Sequence, residues 1–285
     1  MRYLKIIFIS VPVLSLILGC SFFPIQHNTT FYGLIIGINV YAGNPLEYCV
    51  ADAESIYASL IQHGWKQEEL ELLLDGEATK VAILNTLTNF VNQAGENDYI
   101  FVYFSGHGST IDDINGDESD GTDETIVPVD YVPFNTSTLI TDDELGEIFS
   151  QCRTQKGVFI FDSCFSGGVI NKSLSEEGYR LKFIKSINSK GAGTSGDLDI
   201  ITFPVMTASA QDETAGEHDP LEHGIFTYYI LEGLNSFKAN KNNDNYITIR
   251  ELFDYAEINT RFYTNLVQNP MLRFPLDFID ILITR

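Results

Sequence analysis

The stretch Tyr99-Ile-Phe-Val-Tyr-Phe-Ser-Gly-His107-Gly108 decides the fold. Its apolar run is typical of a buried β-strand, and the run stops at a histidine between two glycines. A second stretch of the same design, Lys156-Gly-Val-Phe-Ile-Phe-Asp162-Ser-Cys164-Phe-Ser-Gly-Gly168, stops at a cysteine in a Gly/Ser-rich turn. If the two strands are parallel neighbours, His107 and Cys164 meet at one edge of a sheet.

Predicted strands and helices alternate along the rest of the chain. Further apolar runs predict strands at 31–38, 70–74, 200–207 and 278–284. Apolar residues at helical spacing over 53–61 and 83–91, a capping box at 141–144, and helix starts near 223 and 251 predict the helices. This order predicts an α/β fold with a mostly parallel central sheet that helices cover on both faces. Ligands of such sheets bind beyond the carboxyl ends of the strands.

Two polar stretches are expected at the surface. Asp112 to Glu124 is rich in Asp, Glu, Asn, Gly and Ser, and we expect a solvated loop there. Residues 171–196 end in Gly-Ala-Gly-Thr-Ser-Gly, which is typical of a surface linker. The linker carries the cations Lys172, Arg180, Lys182, Lys185 and Lys190.

The composition limits both size and partners. The 285 residues suit one α/β domain or two small ones, and a hydrophobic fraction of 44% permits a sizeable core. The formal net charge of −22 argues against nucleic acid and anionic membrane surfaces as partners. It favours cationic partners, such as basic peptides or metal ions.

The N-terminus has the features of an export signal. Arg2 and Lys5 precede an apolar run over 6–18, which is short for a membrane span. The run ends in Ile-Leu-Gly-Cys20, which resembles a bacterial lipobox. We therefore predict a signal peptide over 1–19, lipidation at Cys20, a tether over 20–30, and a membrane-anchored protein on the periplasmic or cell-surface side. An ordinary secretory signal or a membrane anchor is the alternative.

The cysteine count argues against a disulfide framework. If Cys20 carries lipid, an odd number of thiols is left, namely Cys49, Cys152 and Cys164. No Cys-x-x-Cys pair is present, which argues against a zinc or thioredoxin-type site. At least one thiol is therefore expected to be free.

A histidine and a cysteine at adjacent strand ends suit nucleophilic catalysis. Thiolate is the attacking species, and a neighbouring imidazole can take the thiol proton. The backbone amides of Gly108 and Cys164 would hold the developing oxyanion, and His107 would then protonate the leaving amine. The alternative, for either residue taken singly, is a packed core side chain.

The two stretches also resemble a known family. Tyr103-Phe-Ser-Gly-His107-Gly and Asp162-Ser-Cys164-Phe-Ser-Gly-Gly are similar to the two catalytic motifs of the metacaspases, the caspase-like cysteine peptidases (peptidase family C14) of bacteria, plants and protists. The resemblance covers 31–285 and implies a single caspase-like α/β/α domain, with Phe165 standing where the family most often has His. Further similar segments are Leu34-Ile-Ile-Gly-Ile, Cys49-Val-Ala-Asp52-Ala, Asp123-Glu-Thr-Ile-Val-Pro-Val-Asp130-Tyr, Leu139-Ile-Thr-Asp142-Asp143-Glu-Leu and Thr207-Ala-Ser.

The resemblance implies cleavage of proteins or peptides after Arg or Lys. Its acidic specificity pocket corresponds to Asp52 and Asp162, with Cys49 in the pocket wall. A substrate guanidinium would pair with these carboxylates, whereas capping of local amides is the alternative for Asp162. Self-cleavage within the linker, at the cations Arg180, Lys182 or Lys185, is a hypothesis, and the resemblance favours a monomer.

The resemblance also implies Ca²⁺, and no organic cofactor is expected. Asp142 and Asp143 match the paired aspartates of the family's calcium cluster, with Asp120 or Asp123 as additions; the neutral Asn171 stands where the family has a further Asp. The alternative for the pair is ordinary acids in the first turn of a helix. A weaker candidate resembles an EF-hand loop, with Asn at its first and sixth positions, and 113–124 is weaker still. The EF-hand-like ligands would be Asn240, Asn242, Asp244 and Glu251.

Two rival functions are open at the level of sequence. One is a His/Cys peptidase of different specificity, if Asp52 or Asp162 points away from the pocket. The other is a catalytically silent, calcium-responsive surface or signalling module that keeps only the fold. Intact His107 and Cys164 argue against the silent module.

Overall fold

A computed structural model describes residues 29–113, 115–116, 121–164, 179–182, 203–210, 213–274, 280 and 283–284. The predicted signal peptide, Cys20 and most of the tether lie outside these residues, as do Asp120, Asn171 and most of the predicted strand 278–284. Within the described part, no helix has the length and apolar character that a membrane span requires.

Twelve strands and five α-helices follow one another in the described residues. The strands are β1 Phe31–Gly37, β2 Leu70–Leu74, β3 Tyr99–Ser105, β4 Gly108–Asp112, β5 Thr122–Ile126, β6 Ile140–Thr141, β7 Gly157–Asp162, β8 Tyr179–Leu181, β9 Val205–Thr207, β10 Gly216–His218, β11 His223–Gly224 and β12 Met271–Arg273. The helices are α1 Cys49–Gln62, α2 Lys80–Gln93, α3 Asp142–Phe149, α4 Ile225–Asn235 and α5 Ile249–Tyr263.

The central sheet has the strand order β12-β9-β7-β3-β1-β2. Every neighbouring pair is parallel except β12 with β9. Because successive side chains of a strand point to opposite faces, the apolar strands feed two separate cores. One core takes Leu34 and Phe104 with residues of α2 and α3. The other takes Ile35 and Tyr103 with residues of α1, α4 and α5. The predicted α/β fold with a mostly parallel sheet between helical layers is confirmed.

The predicted start of α3 is also confirmed. The side chain of Thr141 accepts a hydrogen bond from the amide of Glu144, and the Glu144 carboxylate accepts one from the amide of Thr141. This capping box satisfies backbone donors in the first turn of the helix, which would otherwise be unpaired. Leu145 and Phe149 of this helix are buried in the core.

The expectation of a solvated loop over 112–124 is wrong at its C-terminal end. Strands β4 and β5 pair antiparallel, and β5 also pairs with β6. Asp123 and Glu124 are consequently buried. Composition alone gave no sign of this, because the backbone pairing of β5 with β4 and β6 carries these carboxylates into the protein.

The expected surface linker over 171–196 is described only at 179–182, and there Lys182 contradicts the surface prediction. Residues 179–181 form β8, which pairs antiparallel with β10, and Lys182 is completely buried. The cations of this segment favoured a surface position in the sequence analysis. A buried lysine needs acidic partners, and those of Lys182 come from distant parts of the chain. One edge strand of the central sheet is β12, which pairs antiparallel with β9 and which the sequence did not predict.

Candidate active site

The carboxyl ends of β3 and β7 form the centre of the site. The two strands are parallel neighbours, and Ser105 of β3 lies opposite Asp162 of β7. His107 and Cys164 each follow two residues later, and both are fully buried. A Cβ on Gly108 would lie 2.1 Å from the carbonyl oxygen of Cys164, so only glycine permits this approach of the two turns. The fold therefore brings the His107 and Cys164 turns together at one edge of the sheet.

Hydrogen bonding fixes the tautomer of His107. Its Nε2 lies 2.8 Å from the carbonyl oxygen of Asn44, which can only accept, so Nε2 carries the proton. Among the described residues, the buried Nδ1 has no hydrogen-bond partner, which leaves its lone pair free to act as a base. Burial lowers the pKa of His107 to about 4. Tyr41 supports the ring, at 4.5 Å between centroids, and accepts a hydrogen bond from the backbone amide of His107.

The thiol of Cys164 is held against a backbone peptide. Sγ lies 3.1 Å from the carbonyl oxygen of Ala215 and accepts a hydrogen bond of 2.7 Å from the Ala215 amide. Burial raises the pKa of Cys164 to about 12. At neutral pH this thiol and the imidazole of His107 are therefore both uncharged, so the proton must move when the sulfur attacks.

Asp52 and Asp162 converge in one buried pocket with Lys182. The Lys182 Nζ lies 3.1 Å from Asp52 Oδ2 and 3.2 Å from Asp162 Oδ1, and it donates to Ser105 Oγ at 2.9 Å. A Cβ on Gly224 would lie 2.5 Å from that Nζ, so this glycine leaves the space the ammonium occupies. We call these four surrounding residues, Ser105, Asp52, Asp162 and Gly224, the primary pocket.

Other hydrogen bonds hold the two carboxylates in place. Asp52 Oδ1 lies 2.8 Å from His223 Nδ1 and accepts from the Gly224 amide at 3.1 Å. Asp162 Oδ2 accepts from the Thr227 amide at 3.2 Å and from the Thr227 hydroxyl. These bonds leave Asp52 Oδ2 and Asp162 Oδ1 facing the ammonium, so the pocket is oriented to receive a cation.

Burial and charge act in opposite directions on the pKa values in the pocket. Burial would raise the pKa of Asp52, but Lys182, His223 and Ser105 outweigh it and hold the pKa below its usual value. Burial raises the pKa of Asp162, an effect that Lys182 offsets only in part and the charge of Asp52 adds to. Burial would lower the pKa of Lys182, yet Asp162 and other groups raise it well above its usual value. Lys182 therefore stays protonated in the pocket.

The backbone of Lys182 is hydrogen-bonded to the turns that carry His107 and Cys164. Its carbonyl oxygen accepts from the amide of Gly108 at 3.2 Å and from the amide of Cys164 at 3.1 Å. Its own amide donates to the carbonyl oxygen of Ala215 at 3.1 Å. The sequence analysis predicted that the amides of Gly108 and Cys164 form the oxyanion site. In the structure these two amides bind the carbonyl oxygen of Lys182, whose side chain fills the primary pocket.

Sequence reasoning missed several residues of the site. Ser105 carried a signal, since it is the polar residue that ends an apolar strand. His223, Thr227 and Asn44 carried none, because only the tertiary fold brings them to the pocket or the imidazole. Cys49 lies buried beside the pocket, with Sγ 3.9 Å from Glu217 Oε2.

The candidate calcium ligands do not assemble within the described residues. There, no group of three or more His, Cys, Asp or Glu side chains is placed to hold a metal ion. Asp143 Oδ2 accepts from Asn115 Nδ2 at 2.7 Å, Asp142 lies in the first turn of α3, and Asp123 is buried in β5.

The EF-hand-like segment forms a polar turn followed by α5. The amide of Asp244 donates to Asn242 Oδ1, and Asn240 lies at the start of the same turn. Glu251 Oε2 accepts from the amide and the hydroxyl of Thr248 in a capping box. The proposed twelfth ligand is thus engaged at the start of its own helix.

A mostly parallel β-sheet between helical layers, with a histidine and a cysteine after adjacent strands, defines the caspase-like class of protein. The sequence profile of the caspase domain, peptidase family C14, matches residues 31–276. The chain belongs to this family.

Several curated relatives are metacaspases. Metacaspase-1B of Aspergillus oryzae is 39% identical over 150 residues, which cover 48% of this chain and 35% of the relative. Metacaspase-1 of Schizosaccharomyces pombe is 38% identical over 151 residues, which cover 48% of this chain and 34% of the relative. The chain spans about a third of the length of these relatives.

A solved structure shares the fold. Protein GSU0716 of Geobacter sulfurreducens superimposes with a TM-score of 0.60 at 18% identity. The match covers 86% of this chain and 92% of that one.

Proposed function

We propose that the chain is a cysteine endopeptidase that hydrolyses peptide bonds after Lys or Arg, and that its first substrate is its own Lys182–Phe183 bond. One observation carries the proposal: Lys182 fills an acidic pocket while its carbonyl oxygen faces the amides of Gly108 and Cys164. A substrate must meet both conditions at once, and family membership and the metacaspase relatives support the same activity.

The proposed reaction begins with proton transfer from Cys164 Sγ to His107 Nδ1. The sulfur then attacks the carbonyl carbon of Lys182, and the oxyanion is stabilised by two amides, an effect worth about 3 kcal/mol for each donor. When the carbonyl re-forms, the bond to Phe183 breaks, and His107 gives its proton to the leaving amine. Water next hydrolyses the thioester, which restores the thiol and releases the carboxylate of Lys182.

The choice of Lys or Arg follows from the charges of the primary pocket. Asp52 and Asp162 are fully buried, and each is oriented by other hydrogen bonds. A neutral or acidic side chain would leave the carboxylates desolvated without a counter-charge, which is strongly unfavourable. A guanidinium, with five donors in a planar fork, suits two carboxylates at least as well as an ammonium does.

The test compares wild-type protein with Cys164→Ala. In wild type we expect a new fragment whose N-terminal sequence begins at Phe183, and in Cys164→Ala only the intact chain. Fluorogenic peptides ending in Lys, Arg, Gln or Asp, assayed after self-cleavage, should be hydrolysed only when Lys or Arg precedes the dye. Equal fragmentation of Cys164→Ala would overturn the self-cleavage proposal.

The same assay separates the two rivals. Turnover that depends on Cys164 but favours Gln or Asp would indicate a peptidase of different specificity. A complete lack of such turnover would support the silent module instead. Lys182→Gln is the matched variant, because it removes the charge in the pocket and should slow self-cleavage while leaving His107 and Cys164 unchanged.

A further inference from the structure

The segment before Lys182 lies in the protein as a substrate strand would. Strand β8 adds to β10 in antiparallel register, with Leu181 opposite Gly216, Arg180 opposite Glu217 and Tyr179 opposite His218. Strand β10 lies between β8 and β11 in this small sheet. Addition of an extended peptide to a sheet edge gives affinity through the main chain, and pockets for the side chains give specificity. The contacts of β8 therefore show what the groove beyond the primary pocket accepts.

Arg180, two residues before Lys182, contacts two carboxylates and an aromatic ring. Its Nη1 lies 2.6 Å from Asp219 Oδ1 and 3.9 Å from Glu217 Oε1. Its guanidinium carbon lies 5.7 Å from the centroid of the Tyr48 ring, within cation–π range. We call Glu217, Asp219 and Tyr48 the arginine subsite.

Interactions that do not involve Arg180 hold this subsite in place. Glu217 is fully buried and accepts from the amides of Glu47 at 2.6 Å and Tyr48 at 2.9 Å. The hydroxyl of Tyr48 donates to Asp219 Oδ1 at 3.2 Å. The carboxylates are therefore oriented by the protein itself, which lowers the cost of ordering them when a guanidinium binds.

Tyr179, three residues before Lys182, lies over a surface that leaves room for an aromatic ring. A Cβ on Gly216 would lie 2.4 Å from the ring, so glycine is needed wherever the ring sits this close. The ring centroid is 5.8 Å from that of His218, and the hydroxyl reaches Gln268 Oε1 at 3.5 Å. Gln268 is buried and fixed by a 2.9 Å bond to the Ala208 carbonyl. We call Gly216, His218 and Gln268 the aromatic subsite.

We propose that this groove selects protein substrates with an aromatic residue at the fourth position and arginine at the third position before the cleaved bond. The proposal rests on the proposed peptidase activity and extends it from one residue to a four-residue sequence, Tyr-Arg-Xaa-Lys.

Four fluorogenic peptides test the proposal on self-cleaved wild-type protein: Tyr-Arg-Leu-Lys, Tyr-Ala-Leu-Lys, Ala-Arg-Leu-Lys and Ala-Ala-Leu-Lys. We expect replacement of Arg to lower kcat/KM about tenfold, because a charge-assisted hydrogen bond and a cation–π contact are lost together. We expect replacement of Tyr to lower it by about five- to tenfold, through lost burial of the ring. The Arg preference should weaken at high salt, since Asp219 and Arg180 are both partly exposed.

Variants of the protein locate each preference. Asp219→Asn should lower the ratio of kcat/KM for Tyr-Arg-Leu-Lys to that for Tyr-Ala-Leu-Lys. Glu222→Gln is its control, because that exposed acid carries the same charge nearby and should leave this ratio unchanged. Gly216→Ala combined with Tyr179→Ala should remove the Tyr preference, with Tyr179→Ala alone as control. Without Tyr179, the added methyl group has no ring to displace within the chain.

The outcomes separate this inference from the proposed function. Similar kcat/KM values for all four peptides, with turnover that depends on Cys164, would overturn the subsites and leave the peptidase proposal intact. A Tyr or Arg preference that survives its matched variant would overturn the assignment of that subsite. If no peptide were cleaved, both the proposed activity and the subsites would fail.

Discussion

Lys182 places an ammonium group between two buried carboxylates and its carbonyl oxygen against two amides. The sequence offered Arg180, Lys182 and Lys185 as equivalent candidates, because nothing in a cation-rich segment tells which side chain is buried. Asp52 lies in α1 and Asp162 ends β7, so the two residues are far apart in sequence. Only the tertiary fold brings the two carboxylates together, so their spacing along the chain could not predict this contact.

Substitution of Lys182 should show how much the ion triad contributes to stability. In a Cys164→Ala background, which prevents self-cleavage, we expect Lys182→Met to lower the free energy of unfolding by about 3–5 kcal/mol, since two buried carboxylates lose their counter-charge. Lys241→Met is the control: its pair with Asp254 is half exposed, and such pairs contribute about 0–1 kcal/mol. Urea unfolding measures both, and equal losses would contradict a special role for the buried lysine.

His107 should make stability depend on pH. Its pKa of about 4 in the folded protein lies below the value of about 6.5 expected when unfolded, so the unfolded chain takes up the proton first. Above about pH 6.5 His107 is neutral in both states and does not reduce the free energy of unfolding. That free energy falls as the pH is lowered from about 6.5 to about 4, where the unfolded chain is protonated first. In the Cys164→Ala background, His107→Gln should therefore remove up to about 3 kcal/mol of acid destabilisation. Unfolding curves at pH 7, 5.5 and 4 measure this, and parallel pH profiles would contradict it.

At the level of strands and helices, the length of the apolar run decided which strands could be predicted from the sequence. Strands β1, β3 and β7 are long, continuous and covered on both faces, so their position and parallel pairing followed from pattern. Strand β8 has three residues, and four of the five residues of β5 are polar, so neither has a pattern that distinguishes a buried strand from a loop. Both are defined by partners distant in sequence, β10 for β8 and β4 with β6 for β5.

Calcium dependence is a prediction that belongs to β5 and α3. We expect millimolar Ca²⁺ to raise the rate of self-cleavage relative to chelator, because the resemblance implies that Asp142 and Asp143 are ligands of the cation. Asp143→Asn should abolish that response, whereas Glu147→Gln, an exposed acid of the same helix, should not. Loss of the response in Asp244→Asn instead would indicate the loop before α5. A rate independent of Ca²⁺ in wild type would contradict both sites.

At the scale of the whole molecule, the net charge has the same negative sign as the acidic side chains of the proposed site. The formal net charge of −22 creates a negative field that attracts basic peptides. The primary pocket and the arginine subsite both place acids where we propose that a basic substrate binds, and Asp52, Asp162 and Glu217 among them are buried. The same field disfavours contact with anionic lipid headgroups, so association with a membrane requires another source of affinity. The predicted lipid at Cys20 would supply it.

Replacement of Cys20 tests that anchor. In a bacterial host we expect wild type in the detergent phase and Cys20→Ser in the aqueous phase, because each buried methylene of an acyl chain contributes about 0.8 kcal/mol. Mass spectrometry of the wild-type N-terminal peptide should show a chain that begins at a lipid-modified Cys20. Cys152→Ser is the control, since it removes a thiol of the folded domain and should not alter partitioning. Membrane retention of Cys20→Ser would contradict lipidation and indicate that the apolar segment over 6–18 holds the protein there.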